Sequence, residues 1–166
     1  MSEVRFRASA GLLPFTRAAG EPLFFIGHMG GPFWQRKEEH AWSIIKGEFF
    51  PDDETPFEAA RREWVEETGT PVPPGEWIPL GPVSQRNRKV VHAFAVEALD
   101  PLDVRLVTSS TVRLMWPPRS GRWITFPEID RAQWCDAASA RTRLTVAQGE
   151  FVDRLLEYLE GSVDPS

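Results

Sequence analysis

Three glutamates in the middle of the chain have a spacing that would gather carboxylates into one place. Glu63, Glu66 and Glu67 stand at positions i, i+3 and i+4, and residues at these spacings share one face of an α-helix. Like charges so close together repel, and the cost grows where water is excluded. A divalent cation removes the conflict, and an all-oxygen ligand set favours Mg²⁺, with Mn²⁺ as a second choice. The alternative is a solvated acidic helix face that binds nothing.

The surrounding segment predicts the helix that these glutamates need, over residues 56–68. Thr55 suits the N-cap position, Pro56 the first helical position, and Glu58 completes a capping box with Thr55. Gly69 ends the helix where a left-handed residue is favoured. The sequence therefore positions both ends of the helix.

An apolar stripe on the same helix should face a β-sheet, and it consists of Phe57, Ala60, Trp64 and Thr68. The three carboxylates fall on the neighbouring face. We therefore expect them at the edge of a packed surface, where repulsion is poorly screened.

Seven residues in this region resemble the Nudix box: Gly47, Glu54, Arg62, Glu63, Glu66, Glu67 and Gly69. From Glu54 onward the spacing fits the family pattern and ends in "REWVEETG". Six residues rather than five separate Gly47 from Glu54, so the loop is one residue longer than usual. Other stretches, including "GGPFW", "KVVHAFAVEALD" and "WPPRSGR", resemble a bacterial subgroup of predicted nucleoside triphosphate pyrophosphohydrolases.

The resemblance implies a hydrolase that uses Mg²⁺ and water to cleave a nucleoside diphosphate linked to another group. Depending on that group, the substrate would be a nucleoside triphosphate, a dinucleoside polyphosphate or a nucleotide sugar. Arg62 would pair with Glu54 and brace the loop, while Glu66 is the first candidate to orient or deprotonate the water. The metal ligands that the resemblance implies are the Gly47 carbonyl and the side chains of Glu63, Glu66 and Glu67.

Basic and aromatic residues outside the box are candidates for binding the substrate, and they are Lys46, Lys37, Arg119, Arg122 and Trp123. Lys46 adjoins the glycine that the resemblance assigns to the metal. For Lys37 a solvated loop is an equally good interpretation. In "WPPRSGRW" the arginines could clamp phosphate and the tryptophans could stack a base. A rigid turn with its tryptophans in the core is the alternative.

One departure from the subgroup concerns the acid expected beyond the box. Arg113, Leu114 and Met115 stand where the resemblance leads us to expect acids. Catalysis would then use Glu97 or Glu128, be slower, or be lost. The competing hypothesis to an enzyme is therefore a catalytically weak or inactive domain that senses nucleotides or serves as an interaction module.

The order of elements predicts an α/β (α+β) fold with a mixed sheet flanked by helices, and the resemblance implies an α/β/α sandwich. Further helices are predicted over about 147–160 and, more briefly, 136–144. Gly20 marks a hairpin turn between the first two strands. The predicted strands are 5–17, 22–28, 41–47, 77–83, 89–98 and 112–116. We expect one domain over residues 1–166.

Composition limits the possible partners. The hydrophobic and charged fractions, 42% and 26%, are those of an ordinary globular protein. A net charge of −5 offers no basic surface for duplex nucleic acid, and no stretch is apolar enough to span a membrane. The single cysteine excludes an intrachain disulfide. We expect a cytoplasmic monomer or homodimer with a nucleotide-type small-molecule substrate.

Overall fold

Seven of nine strands form one mixed sheet in the computed structural model, which describes residues 6–161. The remaining two form a separate hairpin. The strands are β1 (Ala8–Thr16), β2 (Leu23–Met29), β3 (Trp42–Ser43), β4 (Ile45–Phe49), β5 (Ile78–Ser84), β6 (Val90–Glu97), β7 (Thr111–Met115), β8 (Trp123–Pro127) and β9 (Ile129–Cys135). The helices are α1 (Pro56–Thr68), α2 (Ala137–Arg143) and α3 (Gly149–Gly161).

The main sheet is built around β1. Its strands run in the order β3-β2-β1-β6-β5, with β4 also pairing with β1 and β9 with β2. β1 and β6 are parallel, whereas the other pairs in this sheet are antiparallel. Gly20 has a φ of 99° in the turn between β1 and β2, which a glycine adopts without strain. The predictions of a mixed sheet and of this antiparallel hairpin are confirmed.

Helices cover both faces of the sheet because successive side chains of a strand point to opposite faces. Leu12 packs in a core with Phe25 and with Trp64 of α1. The next residue, Leu13, belongs to a second core that includes Phe151 of α3. The predicted α/β/α sandwich is confirmed.

Helix α1 has the predicted bounds and the predicted caps. The Glu58 N–H donates to Thr55 Oγ1 over 3.1 Å, and the Glu58 side chain accepts from the Thr55 backbone. Gly69 ends the helix at a φ of 68°. The predicted stripe faces the sheet, since even Phe57 at its N-terminal end packs edge-on against Phe94 of β6 and against Trp77. Phe57 lies at the margin of this contact and is 41% exposed.

The strand predicted over residues 41–47 is two strands in the structure. β3 pairs with β2, whereas β4 pairs with β1. Between them the Ile44 N–H donates to Gln148 Oε1 over 2.8 Å instead of joining a ladder. The chain therefore changes its pairing partner from β2 to β1 at Ile44, where the buried Gln148 side chain takes the place of a strand partner.

Two strands were not predicted, β8 and β9. β9 pairs with β2 along its whole length, with an irregularity beside His28. Because β9 contains many polar residues, its sequence does not show the alternation of inward-facing and outward-facing side chains that is typical of a strand. The predicted first strand includes Arg5, which lies outside the described residues, and β1 begins at Ala8. No helix in the 6–161 range is both long and apolar enough to cross a membrane.

The Thr55 cap yields a stability prediction. We expect Thr55→Ala to lower the free energy of unfolding by about 1 kcal/mol, because a helix N–H loses its acceptor. Urea denaturation monitored by circular dichroism measures this loss.

Thr145 provides the matched control. It precedes a single 3₁₀ turn, makes no side-chain cap bond, and its buried hydroxyl has no hydrogen-bond partner. Thr145→Val should cause no loss of stability, since a methyl group replaces an unpaired polar atom. Equal losses in both variants would contradict the assigned role of the Thr55 cap.

Candidate functional site

The three glutamates of α1 line one cleft of about 530 Å³. Glu63 and Glu67 are buried, with 6% and 3% exposure. The Glu66 side chain is half exposed. The helix therefore holds two carboxylates against the sheet and leaves the third at the surface.

Gly47 on β4 lets the helix approach the sheet this closely. A Cβ added at this position would overlap the Glu63 carboxylate. Only glycine leaves room for that side chain here. The glycine and the glutamate of the predicted metal set are thus in direct apposition, and Gly47 lines the same cleft.

Arg62 ties the loop before α1 to the carboxylates. Its Nε and Nη2 donate to the two Glu54 oxygens over 2.9 and 2.8 Å. Its Nη1 lies 2.7 Å from Glu63 Oε1 and 3.3 Å from both Glu66 oxygens. The Glu54 bonds raise the pKa of Arg62. The predicted pairing of Arg62 with Glu54 is confirmed.

The extra residue before Glu54 is absorbed in a turn. The N–H groups of Asp53 and Glu54 both donate to the Phe50 carbonyl, over 2.9 and 3.1 Å. The chain thereby folds back before α1 and delivers Glu54 to Arg62. The longer loop leaves this ion pair intact.

Glu67 is held by residues that are distant in sequence. Ser110 Oγ donates to Glu67 Oε1 over 2.6 Å, and Ser109 Oγ donates to Oε2 over 3.2 Å. Burial raises the pKa of Glu67 to about 7, and the neighbouring Glu128 carboxyl adds to the rise while the two serines oppose it. Burial likewise raises the pKa of Glu63, against the effect of Arg62. Both carboxylates lie where negative charge is costly.

Of the two candidates for a further acid, the structure brings Glu128 to the site. Glu128 lines the cleft and interacts with Glu67. Glu97 does not line it and forms a two-pronged ion pair with Arg17. An acidic residue is missing before "WPPRSGR", but Glu128, directly after the β7–β8 hairpin, brings one to the cleft.

Basic and amide side chains also line the cleft, and we call Lys46, Gln85, Asn87 and Lys89 its basic wall. Lys46 is partly buried, and burial lowers the pKa of this side chain. Gln85, Asn87 and Lys89 come from the β5–β6 turn. Lys46 was predicted from the sequence, whereas these three were not. The β5–β6 turn reaches the cleft because β6 pairs in parallel with β1. The local sequence pattern contains no signal for that pairing.

The other predicted substrate-binding residues do not line this cleft. Lys37 Nζ lies 3.5 Å from the centre of the Phe33 ring, on an exposed loop. Arg119 and Arg122 are exposed at the tip of the β7–β8 hairpin. Trp123 is 51% exposed, with the Arg113 guanidinium 4.4 Å from its ring centre. A core position for Trp123 is therefore wrong, and its binding role stays a prediction.

The family comparison agrees with this geometry. The model of the NUDIX domain matches residues 5–155. The chain belongs to the Nudix family. The predicted membership of the Nudix family is confirmed. No curated protein matches the chain.

Solved structures share the Nudix fold at low sequence identity. An Ap4A hydrolase from C. elegans, in a binary complex, is 20% identical, with a TM-score of 0.65 over 92% of this chain and 98% of that one. The NUDIX domain of Shewanella oneidensis NrtR, complexed with ADP ribose, is 13% identical, with a TM-score of 0.58 over 95% and 90%. A MutT protein from Methanosarcina mazei is 19% identical, with a TM-score of 0.57 over 96% and 99%.

Nudix hydrolases generally use a divalent metal ion, typically Mg²⁺. The donors at this cleft fit that ion, since they are carboxylate and backbone oxygens, and Gly47 leaves the necessary space beside Glu63. Across residues 6–161, no three acidic, histidine or cysteine side chains already converge as a metal site. Instead, Arg62 bridges Glu63 and Glu66. Metal binding therefore requires these side chains to rearrange.

The clearance at Gly47 can be tested by filling it. Gly47→Ala should displace the Glu63 carboxylate and cost about 1–3 kcal/mol of stability, the usual range for overpacking. It should also abolish any rise in Tm that Mg²⁺ produces, because a cation that binds the native state stabilises it. Thermal unfolding with and without Mg²⁺ measures both effects.

Gly149→Ala is the matched control, since a Cβ there meets nothing within 4 Å. It should keep the Mg²⁺-dependent rise in Tm of the wild type. A Gly47→Ala protein that keeps the full rise would show that the glycine is not needed for metal binding.

Proposed function

We propose that this protein is a Mg²⁺-dependent pyrophosphohydrolase that cleaves a nucleoside diphosphate linked to another group. The observation that carries the proposal is the meeting of Glu63, Glu66, Glu67 and Glu128 with the basic Lys46 and Lys89 in one cleft. Acidic groups that hold a cation and basic groups that meet phosphate are both needed to bind a polyanion. The named relatives, an Ap4A hydrolase and an NrtR NUDIX domain with ADP ribose, support a nucleotide substrate.

Glu63, Glu66, Glu67 and the Gly47 carbonyl would hold Mg²⁺ or Mn²⁺. When bound, the ion offsets charge on phosphoryl oxygens and lowers the pKa of water. Arg62 braces the loop before α1 through its two bonds to Glu54. Lys46 and Lys89 would neutralise phosphate oxygens at the basic wall.

Glu66 is our candidate to accept the proton from the attacking water. It is the most exposed of the three, and Glu67 is engaged by two serines. The water oxygen forms a bond to one phosphorus, and the bond from that phosphorus to the bridging oxygen breaks. The bridging oxygen leaves with the electron pair as part of a phosphate or diphosphate group, and the carboxylate holds the released proton.

Glu128 is our candidate for the additional acid of the reaction. It contacts Glu67 from the segment after β8, so an acid from beyond the box reaches the cleft although residues 113–115 carry none. This arrangement favours turnover over a purely sensory role. A module that only bound nucleotide would have no need for buried, mutually repelling carboxylates.

Replacing single carboxylates tests the proposal. Glu63→Gln and Glu67→Gln should each lower Mg²⁺-dependent phosphate release by at least about 100-fold, because each removes a carboxylate that would hold the charge-stabilising cation. Circular dichroism should show that the fold survives. The assay is a panel of nucleoside triphosphates, dinucleoside polyphosphates and nucleotide sugars with and without Mg²⁺.

Glu157→Gln is the matched control, because Glu157 is an exposed residue of α3. It should retain wild-type activity. Full activity in both cleft variants would refute the assignment of α1 as the catalytic centre. A wild type that binds nucleotides in calorimetry but hydrolyses none of the panel would instead support the sensor hypothesis.

A further inference from the structure

We propose that the cleft recognises its substrate by the phosphate chain rather than by the nucleobase. The inference rests on the proposed function and specifies its substrate class as nucleotides with a long polyphosphate. Such a site would accept different bases with similar efficiency.

The lining of the cleft carries the first part of this inference. Its twelve described residues are all serine, glycine, lysine, glutamate, glutamine or asparagine. None is aromatic or aliphatic. Proteins that hold a base firmly usually stack it on an aromatic ring or pack it against apolar side chains. This cleft can surround charged phosphates, but among these residues it has no surface on which a base could stack.

Aromatic side chains do occur elsewhere, but not on this cleft. Trp123 projects from the β7–β8 hairpin and is 51% exposed. Trp64 and Trp134 line an apolar cavity of about 290 Å³ that shares no lining residue with the cleft. Trp64 also belongs to the buried stripe of α1, whereas the carboxylates occupy its neighbouring face. A base beyond the phosphates would therefore lie outside the polar cleft.

Two lysines carry the second part, since Lys46 and Lys89 both line the cleft that contains the three glutamates of α1. Lys46 precedes Gly47 on β4, the glycine that abuts the Glu63 carboxylate. Lys89 belongs to the β5–β6 turn. A phosphate chain bound at the carboxylates would therefore meet positive charge from two elements of the basic wall.

Glu48 gathers further positive charge at that wall. Its two oxygens accept from Lys89 Nζ over 3.0 Å and from Arg7 Nη1 over 3.3 Å. The β5–β6 turn adds the exposed Arg86 and Arg88 beside Lys89. Each phosphate added to the substrate's chain would therefore lie closer to these basic side chains.

The amide side chains of the turn are suited to phosphate as well. Asn87 Oδ1 accepts from the Lys89 N–H over 3.0 Å. This bond uses one lone pair of Oδ1 and leaves the NH₂ group as a donor. That donor can meet a phosphate oxygen.

Two substrate series measure the inference in the presence of Mg²⁺. For ATP, GTP, CTP and UTP, we expect kcat/KM values within about threefold of one another, because base stacking is missing. For adenosine di-, tri- and tetraphosphate, we expect kcat/KM to rise with each phosphate.

Lys89→Gln tests the basic wall. We expect it to reduce the ratio of kcat/KM for tetraphosphate to that for diphosphate by about fivefold or more, since one charge-assisted contact is lost. The matched control is Arg141→Gln, which removes an exposed positive charge paired with Asp153 on the α2–α3 side. It should leave the ratio unchanged.

The possible outcomes separate this inference from the proposed function. Hydrolysis that requires Mg²⁺ and Glu67 but differs by more than about threefold among the four bases would overturn the inference and leave the proposed function standing. An unchanged ratio in Lys89→Gln would also overturn it. A Trp123→Ala variant that abolishes a base preference would show that the hairpin reads the base. If the wild type hydrolyses nothing, the proposed function fails, and the dissociation constants of the same compounds decide the inference.

Discussion

Mutual repulsion among Glu63, Glu66 and Glu67 is the constraint on which the rest of this structure depends. An isolated helix would relieve it by exposing all three side chains to water. Here two of them are buried against the sheet. The surrounding structure therefore has to provide compensating positive charge and fixed hydrogen-bond donors.

Most features near α1 can be understood as responses to that constraint. Gly47 gives the Glu63 carboxylate its space, and Arg62 brings positive charge to two of the three glutamates. Ser109 and Ser110 donate to Glu67 from a segment more than forty residues away in sequence. The same arrangement is suited to a divalent cation because every donor to it would be an oxygen.

Local signals in the sequence were sufficient to predict α1 and the contact between Glu54 and Arg62 of the Nudix box. The cap residues predicted both ends of the helix, and the box spacing predicted the pairing of Glu54 with Arg62. Spacing alone does not show that Phe57, at the margin of the apolar stripe, stays 41% exposed. β9 was missed because its outward residues are strongly polar, and the break at Ile44 depends on Gln148, about a hundred residues away.

The basic wall of the cleft could not be predicted from local patterns for the same reason. Lys89 meets Glu48 only because β6 lies parallel to β1 and β4 antiparallel to it. Nor does the sequence reveal that the β7–β8 hairpin begins and ends at the cleft, with Ser110 at one end and Glu128 at the other. The hairpin residues Arg119, Arg122 and Trp123 are exposed and do not line the cleft, whereas the two ends supply contacts to Glu67.

The proposed divalent-cation site comprises Gly47, Glu63, Glu66 and Glu67. Crystals soaked in Mn²⁺, which substitutes for Mg²⁺ and has a measurable anomalous signal, show whether a cation binds there. We expect an anomalous peak within coordination distance of the Gly47 carbonyl oxygen and of carboxylate oxygens of the glutamates, with the Arg62 guanidinium withdrawn from Glu63. Mn²⁺ bound only elsewhere, with the Arg62–Glu63 contact intact, would refute this site.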